Sequence, residues 1–420
     1  MQKLVINGGN KLYGKVKISP AKNACLPIIS SCILLNGSVR ITPCPLIKDV
    51  IVMAEIIKDL GGNYTFENGD LLLDCSNIDN YEGKCDTFKR ARASFFTAGA
   101  ILSRFNRAIV PLPGGCNLGE RPIDIHLDVF KQLGVKCNVN NNCVMLDGSD
   151  LKSGKVYLRY PSVGATVNAI NASVFLRGET VIYNCAKEPE IKDLCDFLSV
   201  CGFNVKGGGT SVITIMGVSE KNIKKKVVFS PIYDRIEAGT FMIAVCACGG
   251  GLSFECNDIK PIEKLCEILK NMGATLNFNR GEVTVERNKK LSGVNVIADV
   301  YPAFPTDLQP QFCALACTCL GDSTLTDNVF PERFKYTEQL ALMGAKIQRT
   351  KNSVKIVGCN KLYGSNLTAY DLRGGAAMVI GALSADGYSV ISGVEMIERG
   401  YEYLDYKLKG LGAKLNCICE

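Results

Sequence analysis

Six stretches decide the fold: IIKDLGGNYTFENGDLLLD (56–74), VFKQLGVKCNVNNNCVMLD (129–147), FLSVCGFNVKGGGTSVITI (197–215), ILKNMGATLNFNRGEVTVE (268–286), QLALMGAKIQRTKNSVKIV (339–357) and KLKGLGAKLNCICE (407–420). Each is a helix-like run that ends in glycine and continues as strand, turn and strand. The glycines are Gly61, Gly134, Gly202, Gly273, Gly344 and Gly412, at steps of 73, 68, 71, 71 and 68 residues. A glycine there suits the left-handed residue that closes a helix. Asn68-Gly69 and Arg280-Gly281 read as tight hairpin turns between the strands that follow. A period near seventy residues is a structural repeat.

Upstream of each run lies a segment rich in small residues: AKNACLPIISSCILL (21–35), ARASFFTAGAILSRF (91–105), SVGATVNAINASVFL (162–176), RIEAGTFMIAVCACG (235–249), TDLQPQFCALACTCL (306–320) and LRGGAAMVIGALSA (372–385). These segments are apolar on nearly all sides, which predicts helices buried all round. A short strand follows each. The unit is helix–strand–helix–strand–strand, repeated six times. The last repeat stops one strand short, and the chain begins with two strand-like pieces, KLVING and KVKIS. Residues 1–20 are therefore expected to finish the sixth repeat. The expected layout is a mixed α/β (α+β) fold of two lobes with three repeats each. The first lobe covers 21–231 and the second covers 1–20 plus 232–420. A crevice between such lobes is the default place for a ligand.

Composition narrows the chemistry. The 420 residues are 47% hydrophobic and 21% charged, a folded globular balance that excludes disorder. A net charge of +7 is too mild to indicate nucleic-acid binding. His126 is the only histidine, so no multi-histidine metal site can form, and acid–base work falls on Cys, Asp, Glu, Lys or Tyr. A lone histidine is read as a structural hydrogen-bonder. No metal and no cofactor are expected. The chain has 21 cysteines and no signal-like opening, which points to a reducing cytoplasm with most thiols serving as small core residues. No apolar stretch approaches the ~20 residues of a membrane helix. Lys224-Lys225-Lys226 reads as a solvated turn between lobes.

Two clusters carry the chemistry. The residues that open the small-residue helices are Lys22, Arg92, Ser162, Arg235, Asp307 and Arg373, spaced 70, 70, 73, 72 and 66 apart. A helix start already bears partial positive charge, so Lys or Arg placed there calls for a compensating anion. Asp307 breaks the basic pattern and is the candidate base. The second cluster is PLPGGCNLGERPIDIH (111–126), a Gly- and Pro-rich loop around Cys116. A thiol in such a loop, five residues before Arg121, can have a lowered pKa.

The pieces INGGNKLYGKVKIS, AKNACLPI, RAS, PLPGGCNLGERPIDIHL, SVGAT, AKEPEI, DRIEAGTF, FPTDLQPQF, VFPERF, DLRGGAA and IERGYEYL, in that order from residue 4 onward, resemble the enolpyruvyl transferases. The resemblance implies two inside-out, barrel-like α/β domains with threefold internal symmetry. It also implies transfer of the enolpyruvyl group of phosphoenolpyruvate to the 3′-hydroxyl of UDP-N-acetylglucosamine, the entry to peptidoglycan precursors. By resemblance, Lys22, Asn23, Cys116, Arg121, Arg373 and Arg399 bind phosphoenolpyruvate. Arg92, Arg121, Pro122, Ile123, Asp124, Ile125, Ser162, Val163, Asp307 and Val329 bind the nucleotide sugar. Cys116, Asp307, Lys22 and Arg399 are the implied catalytic set, with Cys116 as general acid and the thiol alkylated by fosfomycin. Arg333 matches a further arginine of the site. Partners are small molecules only, with no nucleic acid, membrane or obligate protein. The family branch that acts on 3-phosphoshikimate lacks the PGGC loop, and a non-catalytic sugar-binding paralogue would not need all these residues. Pro331-Glu332 departs from the Glu-Asn usual before Arg333-Phe334, which puts the geometry beside Val329 and Arg333 in question.

Overall fold

The computed structural model describes residues 2–114, 123–140, 142–359 and 361–419. The chain divides into two units that exchange at Ser19–Pro20 and at Ile232–Tyr233. Residues 20–232 form the first unit around one apolar core. Residues 2–19 and 233–419 form the second around another.

Each unit holds three sheets, and five of the six follow one four-stranded plan, the sheet of Arg107–Pro111 having three strands. In the fourth repeat, Leu12–Lys15 pairs in parallel with Gly250–Glu255, which pairs antiparallel with Glu282–Arg287, the partner of Thr275–Asn279. The hairpin joining the last two strands turns at Arg280 and Gly281, both at positive φ (50° and 77°), the backbone that a two-residue turn of this hand requires. Strand faces alternate, as in Glu282–Arg287, where Val283 and Val285 are buried. The sixth sheet contains both chain ends: Gln2–Asn7 lies between Tyr388–Ser392 and Lys414–Cys419. None of the six sheets closes on itself among the described residues, so the barrel-like expectation reduces to three open sheets per unit.

The small-residue segments are interior helices: Lys22–Cys32, Thr97–Phe105, Val163–Ser173, Arg235–Cys248, Gln309–Ala316 and Leu372–Ser384. Arg235–Cys248 is buried at every residue but its last. Small residues allow such helices to approach one another. A Cβ at Gly99 would stand 2.4 Å from the Asn168 carbonyl oxygen, so the helices Thr97–Phe105 and Val163–Ser173 could not pack as they do with any other residue there. Two of the six segments begin as 3₁₀ turns, Arg92–Phe96 and Thr306–Leu308, before the α-helix sets in.

Three expectations need correction. Five of the six sheets carry a parallel edge strand that the repeat pattern does not reveal, such as Lys155–Tyr157, Val296–Ala298 and Asn366–Thr368, and the sheet of Arg107–Pro111 has a single parallel bridge there, Glu82 to Ile109. Three residues are too few to display a period. The second N-terminal strand is Leu12–Lys15, not the KVKIS piece, and it serves the fourth sheet, so only Gln2–Asn7 completes the sixth. Lys224-Lys225-Lys226 does not join the units. It leads into Lys226–Phe229, the edge strand beside Ser38–Ile41 inside the first unit.

Half-buried arginines close the interior helix ends. Arg104 Nη1 donates to the carbonyls of Ile33 (2.8 Å), Leu35 (2.9 Å) and Cys75 (3.3 Å), and Nη2 donates to Ile78 (2.9 Å). Arg287 Nη1 does the same for Cys246 (2.9 Å) and Ala247 in the second unit. Arg104→Met should leave these carbonyls without donors and lower unfolding stability by about 2–4 kcal/mol, read from urea melts. A loss under about 0.5 kcal/mol would show that the carbonyls find other partners.

Candidate active site

In the first unit, the Lys22 side chain is about one-tenth exposed and forms an ion pair with Asp49 (Nζ–Oδ2 2.7 Å), whose own side chain is 7% exposed. Asp49 sits in the first turn of the helix Lys48–Asp59, where the helix dipole favours a carboxylate. Asn23, next on the helix, is half-buried. Arg92 opens its 3₁₀ turn and is half-buried. Ser162 caps the helix Val163–Ser173, its hydroxyl accepting the Ala165 N–H (3.3 Å). Ile123 immediately precedes the helix Asp124–Gln132, and Asp124 and Ile125 open it. Asp124 is ion-paired with Arg159, which also reaches Asp128 (3.2 Å). Cys116, Arg121 and Pro122 lie outside the described residues.

His126 is a buried side chain in this neighbourhood. Asn168 accepts the Gly99 N–H through Oδ1 (2.8 Å), so its Nδ2 is the donor both to the Phe95 carbonyl (2.9 Å) and to His126 Nδ1 (2.8 Å). Nδ1 is therefore the acceptor, and the neutral ring carries its proton on Nε2. Phe95 meets the ring edge-on at 5.1 Å. Burial, with Arg92 nearby, pushes the His126 pKa down to about 3. The structural reading of this residue holds.

The second unit gathers charge around Asp307. Its Oδ1 accepts from Arg333 Nη1 (2.8 Å) and its Oδ2 from Arg373 Nη2 (3.0 Å) and Nε (3.3 Å). The two arginine side chains are 4% and 2% exposed. Arg373 lies over the ring of Tyr401 at 5.3 Å. The Tyr401 hydroxyl is held by Thr240 Oγ1 (2.8 Å) and Gln311 Nε2 (3.0 Å). Asp371 caps the helix that carries Arg373, and Asp234 caps the helix that begins at Arg235. The anions required at these basic helix starts are thus supplied partly by the protein itself. Val329 lies in the turn after the strand Asp322–Asp327, its N–H bound by Asp327 Oδ1 (2.9 Å). Arg399 is half-buried in the turn after the helix Val394–Ile397. Of the expected residues, the structure brings together Asp307, Arg333 and Arg373. Asp49, Asp327, Tyr401 and Asn168 were missed, since one sequence does not show which partner a polar residue meets in the fold.

A family profile described as EPSP synthase (3-phosphoshikimate 1-carboxyvinyltransferase) matches residues 6–408. UDP-N-acetylglucosamine 1-carboxyvinyltransferase 2 of Carboxydothermus hydrogenoformans is 42% identical over 422 residues, covering all of both chains. The Bacillus subtilis protein of the same name is 40% identical and covers 99% of this chain and 96% of its own. The chain belongs to the EPSP synthase family of enolpyruvyl transferases. Among solved structures, the enolpyruvyl transferase NikO from Streptomyces tendae superposes with a TM-score of 0.89 at 23% identity, over 99% of this chain and 98% of that one. An EPSP synthase from Acinetobacter baumannii superposes at 0.73 and 18% identity, with both chains fully covered. These two likenesses establish the enolpyruvyl-transferase fold. Members of this family are transferases that act on small molecules. Among the described residues no helix is long and apolar enough to cross a membrane.

The single imidazole gives an unambiguous test. Between the unfolded value near 6.5 and about 3, the unfolded chain takes up a proton that the fold refuses. Stability is therefore full above pH 6.5 and falls as pH drops through this window, by up to a few kcal/mol. In the untagged protein the one histidine NMR signal should stay neutral at pH 5, and His126→Gln should flatten this part of the acid limb. A midpoint near 6.5 in the folded protein would contradict the burial.

Proposed function

We infer that the chain transfers the enolpyruvyl group of phosphoenolpyruvate to the 3′-hydroxyl of UDP-N-acetylglucosamine and releases phosphate, the first committed step toward peptidoglycan. The observation that carries this reading is the full-length similarity, near 40% identity, to curated proteins of that name. The charge arrangement supports it. Phosphoenolpyruvate and a UDP-sugar together bring about five negative charges at neutral pH, which call for several Lys and Arg side chains. Lys22, Asn23, Cys116, Arg121, Arg373 and Arg399 are proposed to hold phosphoenolpyruvate. Arg92, Arg121, Pro122, Ile123, Asp124, Ile125, Ser162, Val163, Asp307 and Val329 are proposed to hold the nucleotide sugar.

The chemistry is addition followed by elimination. The sugar hydroxyl is a poor nucleophile, and it adds to C2 of the enolpyruvyl group as a proton is delivered to C3. Cys116 is the proposed donor of that proton. Asp307 is proposed to receive the hydroxyl proton, with Arg333 and Arg373 fixing both carboxylate oxygens. The resulting tetrahedral species expels phosphate as a C3 proton leaves, which restores the double bond. Guanidinium groups grip carboxylate and phosphate in bidentate fashion, the role proposed for Arg373 and Arg399. The substrates are cytoplasmic metabolites, and the nineteen cysteines whose side chains are described, all free, fit a reducing compartment.

Mixing the protein with phosphoenolpyruvate and UDP-N-acetylglucosamine should release phosphate, whereas shikimate 3-phosphate as acceptor should release none. The reverse pattern would move the assignment to the other branch of the family. Cys116→Ser should lower kcat by about 10² or more, since a hydroxyl is a far weaker acid, while Cys116→Asp should keep part of the rate. Full activity in Cys116→Ala would remove the thiol from the mechanism.

A further inference from the structure

Asp327, at the end of the strand Asp322–Asp327, is fully buried and accepts three hydrogen bonds. Its Oδ1 takes the backbone N–H groups of Val329 (2.9 Å) and Phe330 (2.8 Å), and its Oδ2 takes the Thr306 hydroxyl (2.6 Å). The Asp327 N–H is bound in turn to the Asn352 carbonyl (2.9 Å), which fixes the residue to the end of the neighbouring strand Ser353–Val357. Thr306 is the neighbour of Asp307. Its carbonyl and hydroxyl oxygens both lie 3.2 Å from Arg333 Nη1, the atom that also binds Asp307 at 2.8 Å. One carboxylate therefore ties the segment bearing Asp307 to the segment bearing Val329. The same turn accounts for Pro331. Asp327 captures the two N–H groups before it, and the Arg333 N–H closes onto the Phe330 carbonyl (3.0 Å), so no donor is needed from residue 331.

We propose that Asp327 is a positioning residue for the sugar nucleotide, setting the spacing between Asp307 and Val329 through the Thr306 hydroxyl. This rests on the reading of Asp307 and Val329 as nucleotide-sugar contacts. A buried carboxylate with three donors is rigid, and removing one donor leaves a charge that must be satisfied by moving a neighbour. The segments that would move are the two that face the sugar nucleotide. Of the residues assigned to phosphoenolpyruvate, Arg373 meets Asp307 at Oδ2, whereas the Thr306 hydroxyl lies on the Arg333 and Oδ1 side, so phosphoenolpyruvate binding should be disturbed far less than sugar-nucleotide binding.

Thr306→Val keeps the shape and removes the hydroxyl, whereas Thr306→Ser keeps the hydroxyl. Phosphate release is measured with each substrate varied in turn, and UDP-N-acetylglucosamine binding is measured by calorimetry. Thr306→Val should raise KM and Kd for the sugar nucleotide about tenfold or more and leave KM for phosphoenolpyruvate within about threefold. Thr306→Ser should restore most of the lost affinity. Asp327→Asn, if it folds by circular dichroism, should show the same asymmetry. Equal rises in both KM values, unchanged kinetics in Thr306→Val, or equal damage from Val and Ser would overturn the proposal. An unsubstituted protein that releases no phosphate from the pair would instead overturn the functional reading beneath it, and that result appears before any variant is made.

Discussion

Charge carried on the ends of apolar interior helices has to be answered inside the protein. Lys22 is met by Asp49, and Arg333 and Arg373 are met by the single carboxylate of Asp307. Removing a cation and anion together from such a site is often neutral or stabilising, whereas removing one partner leaves a buried charge without compensation. The pairs are thus poor devices for stability and good devices for fixing side chains. At Asp307 two guanidinium groups face one carboxylate, each on its own oxygen, so neither arginine has that anion to itself. Shared arginines of this kind suit the anionic substrates proposed for this protein.

The abundance of cysteine follows from the same architecture. Interior helices that approach closely need small apolar residues, and cysteine is one of them. Burial pushes the thiols of Cys185, Cys195, Cys201 and Cys246 up to about 12, which keeps them protonated and chemically quiet. A chain with 21 cysteines can therefore reserve one for chemistry without competition from the buried ones, provided that one lies in a different environment. Cys116, in a Gly- and Pro-rich stretch of the sequence, is the thiol proposed for that part.

Much of the fold was legible because the repeat is legible. The glycines after the second helix of each repeat fall at Gly61, Gly134, Gly202, Gly273, Gly344 and Gly412, all at φ between 88° and 105°. Any other residue is strained there, so the punctuation survives in the sequence. The hairpin turns at Asn68-Gly69 and Arg280-Gly281 were legible for the same reason. The parallel edge strands were not, since elements such as Val296–Ala298 are defined by their partners and not by a pattern of their own. At the site, the residues that begin each interior helix stood out through their spacing. Their compensating groups did not. Asp49 and Asp327 each belong to an element whose polar residues look ordinary until the chain is folded around them.

A sixfold repeat by itself gives six equivalent helix starts, and equivalent starts cannot divide the labour of a reaction. Specialisation comes from breaking the equivalence at single residues. In the second unit the middle repeat places Asp307 where the flanking repeats place Arg235 and Arg373, and that one change converts a row of like charges into a bound pair. In the first unit the third repeat opens with Ser162, an uncharged cap, where the others open with Lys22 and Arg92. The backbone plan supplies position, while the departures from it supply charge of either sign and a neutral hydrogen-bonding end. The plan therefore explains why the fold recurs in transferases with different acceptors, and the departures are where the choice of acceptor has to be sought.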